Sequence, residues 1–111
     1  MKTIFVSGNF NILHPGHLRL LRFARELGDK LIVGVHSDLI GGSDAHVPEY
    51  LRLEGIRSNN WVSEAVLVDE PVTEVIRKIK PDIVVKGKEH IGLNNPELEV
   101  LKEYGGELLF S

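Results

Sequence analysis

Residues 3–38 read TIFVSGNFNILHPGHLRLLRFARELGDKLIVGVHSD. The apolar, β-branched and aromatic run Thr3–Val6 stops at Ser7-Gly8, and a second, Leu31–Val35, stops at His36-Ser37-Asp38. Unbroken apolar runs of this kind suit strands buried on both faces of a parallel sheet. Between them, Leu18, Leu21, Ala24 and Leu27 recur at helical spacing in His17–Leu27, with Arg19, Arg22 and Glu26 on the other side. Arg22 and Glu26 are spaced as an i,i+4 ion pair, and Gly28 supplies the stop. The stretch is a strand–helix–strand unit, whose crossover is right-handed in nearly all known cases.

The pattern continues outward. Ala65–Val68 ends at Asp69-Glu70-Pro71, Ile83–Val85 ends at Lys86-Gly87, and Leu108–Phe110 follows Gly105-Gly106. Further helices are predicted over Pro48–Asn59, Thr73–Ile79 and Pro96–Tyr104. Pro48 and Pro96 suit first turns, Pro81 ends the third helix and Gly105 follows the fourth. The order β-α-β-α-β-α-β-α-β predicts an α/β fold: a Rossmann-like, doubly wound, five-stranded parallel sheet in the order 3-2-1-4-5, with helices on both faces. Ligands of such sheets bind beyond the carboxyl ends of the strands. The loops that matter are therefore Ser7–Gly16, His36–Val47 and Lys86–Asn95, the middle one, with Gly41-Gly42-Ser43-Asp44, reading as mobile.

At 111 residues, with no internal repeat, the chain is expected to be one domain, residues 1–111. Hydrophobic residues at 42% and charged residues at 26% are ordinary for a globular protein. With no cysteine there is no disulfide framework, no cysteine-ligated zinc and no cysteine nucleophile. The net charge of −3 argues against nucleic acid as partner. No apolar run approaches the roughly 20 residues that cross a bilayer, and Met1–Phe10 lacks the build of a signal peptide. The expected location is the cytoplasm, with no membrane partner. Charge is uneven: residues 1–37 carry five Lys or Arg against two Asp or Glu, and residues 38–111 carry eight against fourteen. The amino-terminal part is the better place for an anionic ligand.

The loop after the first strand places His14 and His17 three residues apart across a helix start, with Pro15-Gly16 between them. Pro15 has the φ a first turn needs. Gly16 leaves room for a ligand against the backbone. Free N–H groups and the positive helix end attract an anion, and two imidazoles there can donate to phosphate oxygens. A lone histidine at a helix start is ordinarily a cap or a surface residue. The pair, with this spacing and in this place after a first strand, points instead to a phosphate cradle. His36, His46 and His90 show no metal-ligand spacing. Asp38 sits where dinucleotide folds hold a ribose, but Gly8 does not begin a GxGxxG motif. Trp61 reads as packing between helix and strand, Tyr50 and Tyr104 as partly exposed, and Arg52 taken alone as a solvated charge.

His14-Pro15-Gly16-His17 resembles the HxGH motif of the nucleotidyltransferase superfamily, and Gly8–Asp38 as a whole resembles its cytidylyltransferase branch. That branch includes glycerol-3-phosphate and ethanolamine-phosphate cytidylyltransferases and domains of lipopolysaccharide-core biosynthesis. Glu49–Ala65, with Arg52, and Pro81–Gly87 are similar to two later blocks of the family, so the resemblance spans nearly the whole chain. It implies transfer of CMP from CTP to an alcohol or sugar phosphate with release of pyrophosphate. The alternatives are an adenylyltransferase using ATP on a sugar phosphate, and a nucleotide-binding module of a larger protein with little turnover. It implies His14 and His17 as catalytic residues; Gly8, Asn9, Phe10, Gly16, Lys86 and Gly87 as nucleotide-binding; and Asn11 and Arg52 as contacts to substrate or phosphate. It further implies Mg²⁺ carried in by the nucleotide rather than held by the protein, and a homodimer. Four features depart from the family pattern. Asn11 stands where the family has an acidic residue, Glu89 stands behind Lys88 where the family more commonly has a nearby Asp, Gly41–Val47 lacks the family's basic residues, and the chain ends at Phe110-Ser111, before the family's ISTS-like helix. The last implies either a domain truncated before that helix or the absence of a phosphate-binding element.

Overall fold

A computed structural model describes residues 1–111. In chain order the elements are β1 (Thr3–Gly8), α1 (Pro15–Glu26), β2 (Lys30–His36), α2 (Asp38–Gly41), α3 (Glu49–Arg57), β3 (Glu64–Val68), α4 (Val72–Ile79), β4 (Ile83–Lys86), α5 (Glu97–Lys102) and β5 (Glu107–Phe110). Single 3₁₀ turns occupy Gly42–Asp44 and Lys88–His90. The five strands form one sheet in the order β3-β2-β1-β4-β5, every neighbouring pair parallel. This is the order expected from the sequence. The chain winds outward from β1 through β2 to β3, then returns to place β4 on the other side of β1. The crevice of such a sheet opens between the carboxyl ends of β1 and β4.

The unbroken apolar runs follow from cover on both faces. Ile4, Val6, Leu31, Val33, Val35, Ile83 and Val85 pack with Leu21 and Ala24 of α1 and Ile56 of α3. Phe5, Ile32 and Val84 pack on the opposite side with Ile76 of α4 and Val100 and Leu101 of α5. The period of two is present but hidden, because both faces are apolar. Gly34 lets the layers close: a Cβ there would lie 2.7 Å from Val68 and 2.8 Å from the Phe5 ring. The edge strands β3 and β5 are only half buried, so full burial holds for the three central strands alone. Trp61 packs against the first cluster, as expected. Tyr104 is held by its hydroxyl, which donates to the Pro81 carbonyl at 2.7 Å, and its phenol is pushed up to about 12, mainly by burial.

The segment after β2, read from the sequence as a loop, holds a short helical turn. Ser37 caps α2, its Oγ accepting from the Ile40 N–H at 3.1 Å, and the turn closes at Gly42 with φ 61°. Ser, Asp and Asn caps recruit a helical turn even from a short segment, and the glycine pair ends the turn rather than dissolving it.

Candidate functional site

β1 delivers the chain to the crevice, and Phe10 turns it there. Phe10 has φ 51°, a left-handed conformation that costs a non-glycine residue on the order of 1–3 kcal/mol and tends to mark functional loops. Burial of its ring in the core beneath α1 holds the turn, and the ring meets His17 edge-on with centroids 5.4 Å apart. Phe10, implied as a nucleotide contact, is a floor under the histidine pair.

α1 then begins at Pro15, with His14 as its cap. His14 Nδ1 accepts from the Gly16 N–H at 3.0 Å. The neutral ring therefore carries its proton on Nε2, which is left as a donor. His17 is the opposite tautomer. Its Nδ1 lies 3.1 Å from the Ile12 carbonyl and must donate to it, leaving Nε2 bare until the ring is protonated. The two rings stack with centroids 3.8 Å apart. Burial, then the neighbouring His14, lowers the His17 pKa below the ordinary value; the Ile12 carbonyl and Glu89 oppose this more weakly. Two stacked imidazoles repel each other as cations, and an anion across their free edges relieves that repulsion. A Cβ on Gly16 would stand 2.8 Å from Cε1 and 3.0 Å from Nδ1 of His14. Gly16→Ala is therefore expected to displace the His14 ring, weakening by about tenfold, in a folded protein, binding of the nucleotide that the family resemblance implies, as read by calorimetric titration beside a denaturation curve.

A cavity of about 190 Å³ runs from His17 and Leu20 across Gly8 and Asn9 to Lys86 and Gly87. A second, of about 480 Å³, continues it past His14, Gly16, Arg19 and Lys88. His14, His17, Gly8, Asn9, Phe10, Gly16, Lys86 and Gly87 are thus brought together. Lys86 is not a free cation. Its Nζ lies 2.6 Å from Glu97 and donates to Asn95 Oδ1 at 2.7 Å, while Asn95 Nδ2 donates to the His90 and Leu93 carbonyls. The lysine therefore also ties loop 87–95 to the end of β4.

Arg52 and Asn11 stand elsewhere. The Arg52 side chain is fully buried rather than solvated. It donates to the carbonyls of Val47 (2.6 Å), Asn9 (2.8 Å) and His36 (2.6 Å), and pairs with Asp38 at 2.8 Å. With those donors engaged, it clasps the β1 loop to the end of β2 and lies outside the cavities. Asn11 Oδ1 accepts from the N–H groups of His46 and Val47, and its Nδ2 donates to the Asp44 carbonyl. An aspartate there has no donor for that carbonyl, which accounts physically for the amide. Glu89, Glu97 and His36, none of them assigned to the site from the sequence, also line the crevice; no local spacing marks them. No cluster of three or more His, Cys, Asp or Glu side chains is placed to hold a metal ion. No helix is long and apolar enough to cross a membrane.

A family model described as cytidylyltransferase-like matches residues 5–104. The chain belongs to the cytidylyltransferase-like family. It is a nucleotidyltransferase domain, and the histidine pair and the β1/β4 crevice lie inside the matched region. Among curated relatives, this cytidylyltransferase-like chain is 37% identical over 114 aligned residues to the bifunctional protein HldE of Gluconobacter oxydans (strain 621H). It is also 37% identical, over 108 residues, to that of Campylobacter concisus (strain 13826). The alignments cover 97% and 92% of this chain but 24% and 23% of the relatives, so the chain spans about a quarter of their length. Among solved structures it superposes on the lipopolysaccharide core biosynthesis protein of Thermoplasma volcanium GSS1 with a TM-score of 0.84 and 27% identity. That match covers 99% of this chain and 95% of the other.

Proposed function

We propose that this domain transfers the nucleotidyl group of a nucleoside triphosphate, CTP, to a phosphate monoester of an alcohol or sugar, releasing pyrophosphate. The observation that carries the reading is the stacked His14–His17 pair at the start of α1, facing the β1/β4 crevice of a cytidylyltransferase-like domain. An oxygen of the acceptor phosphate attacks the α-phosphorus in line. The bond from the α-phosphorus to the bridging oxygen breaks, and pyrophosphate leaves with the electron pair. The work of the protein is positioning and charge stabilisation. His14 Nε2–H donates to phosphate oxygens, and His17, protonated as the triphosphate arrives, donates from its own Nε2. The start of α1 adds its partial positive charge. Mg²⁺, when bound, would be held by the triphosphate and would neutralise part of its charge. The lipopolysaccharide core biosynthesis protein of Thermoplasma volcanium, on which the domain superposes, supports an acceptor drawn from that chemistry.

The test is pyrophosphate release, with calorimetric titration of CTP and ATP side by side in Mg²⁺. Binding and turnover of CTP support the reading, ATP in its place moves the donor to adenine, and neither binding ends it. The histidines add a pH signature. His17 has a lowered pKa, so it is largely neutral near pH 7, and binding an anion to its protonated form takes up a proton. Triphosphate affinity is expected to rise as pH falls from 8 towards 6. The stability of the free protein moves the other way. His17 and His36 both have folded pKa values below their unfolded ones, each chiefly through burial. Their contribution is fully present above about pH 6.5 and is lost as pH falls through the folded values. Urea midpoints at several pH values, with and without nucleotide, check both signs.

A further inference from the structure

The larger cavity, past the histidine pair, is lined by two cations from separate parts of the chain: Arg19 of α1 and Lys88 of the turn after β4. Both are exposed, and neither side chain is paired with a carboxylate. Lys86, the cation of the smaller cavity, is held by Glu97 instead. Residues 41–47 contain no Lys or Arg. Arg19 and Lys88 are therefore the two crevice cations whose charge is free to meet a ligand. Their backbones are placed firmly. Arg19 follows Gly16 by three residues and so shares its face of α1. The Lys88 N–H donates to the Ser111 carbonyl at 2.9 Å, against the end of β5. Glu89 is the one Asp or Glu in this lining, and it lies 3.7 Å from His90. Two cations thus face one carboxylate before either histidine is protonated.

The two cavities meet at His17 and Gly87, which line both. In-line displacement puts the entering and leaving oxygens on opposite sides of the phosphorus. With the α-phosphorus at this junction, one cavity lies on the side of the attacking acceptor and the other on the side of the leaving group. Pyrophosphate gains charge as its bond to the α-phosphorus breaks, so it belongs where unpaired cations can meet that charge. The larger cavity offers them, and at about 480 Å³ against about 190 Å³ it also has the room. We propose that Arg19 and Lys88 hold the β- and γ-phosphates and stabilise pyrophosphate as it leaves, making this cavity the leaving-group site. The proposal rests on the nucleotidyltransferase reading above and adds two catalytic residues to it.

The experiment is calorimetric titration of the full chain with CTP and ATP, with CMP and AMP, and with inorganic pyrophosphate. The variants are Arg19→Gln and Lys88→Gln. Arg22→Gln is the control: it removes the same charge from the same helix, at a residue paired with Glu26 outside the cavities. Arg19→Gln and Lys88→Gln are each expected to weaken binding of the triphosphate, and of pyrophosphate, about tenfold. Binding of the matching monophosphate stays within about twofold of wild type, as does triphosphate binding by Arg22→Gln. Urea midpoints of all three variants stay near wild type, because only exposed side chains are changed. Triphosphate losses no greater than that of Arg22→Gln overturn the assignment in favour of a general effect of charge. Equal losses for monophosphate and triphosphate overturn it in favour of cations that meet the α-phosphate. A wild-type chain that binds neither triphosphate ends the nucleotidyltransferase reading, and this proposal falls with it.

Discussion

Replacing His17 by alanine is expected to lower the rate of nucleotidyl transfer by about two to three orders of magnitude with the fold intact, the scale seen when one donor to a developing charge is removed. The fold tolerates the change because His17 belongs to neither buried cluster and its one protein hydrogen bond is to the nearby Ile12 carbonyl. The cradle does not tolerate it. The same bond fixes the tautomer, and the stack on His14 and the edge of Phe10 fix the plane, so alanine removes a pre-aimed donor. His14→Ala differs in a measurable way. It removes a donor of the same kind and also the cap that accepts from Gly16, adding about 1 kcal/mol of lost stability. Pyrophosphate release read beside a urea curve separates the two variants. Comparable rate losses, with a stability loss in His14→Ala alone, are the expected pattern. Full activity in a folded His17→Ala protein would remove the histidine pair from the mechanism.

What was legible in the sequence was what is local. A run such as Leu31–Val35 reports a covered strand because each residue meets a layer whatever its partners are. His14-Pro15-Gly16-His17 reports its own geometry because cap, first turn and second histidine lie within a single turn of chain. The parts that failed to show are pairings across the fold. Arg52 reaches Asn9 forty-three residues away and Asn11 reaches Val47 thirty-six away, and neither distance leaves a periodic trace. Nor does the sequence around Lys86 show its pairing, because Glu97 meets it only once α5 has packed. The segment after β2 did carry a signal, Ser37 ahead of Asp38-Leu39-Ile40, and the two glycines behind it drew the reading away.

Arg52→Ala is expected to destabilise the domain by about 3–5 kcal/mol, the scale on which buried carbonyls lose a donor and a buried side chain leaves a hole. The reason is not the ion pair itself. Asp38, about half exposed, retains water as a partner when the arginine goes. The cost lies in the carbonyls of Asn9, His36 and Val47, each of which loses the Arg52 donor, and in the hole left by a side chain with no exposed surface. Domains of this size are commonly stable by only 5–15 kcal/mol, so the loss leaves little margin at physiological temperature. Lysine does not repair it, because a single ammonium cannot reproduce the guanidinium fork that meets three carbonyls and a carboxylate in different directions. Chemical denaturation of wild type, Arg52→Ala and Arg52→Lys measures this. A loss below about 1 kcal/mol in the alanine variant, the scale of a single surface ion pair, would show that the clasp carries little of the fold. Where folded protein is recovered, turnover should fall further than the folded fraction does, because the clasp sets the positions of Asn9 and His36 at the mouth of the crevice.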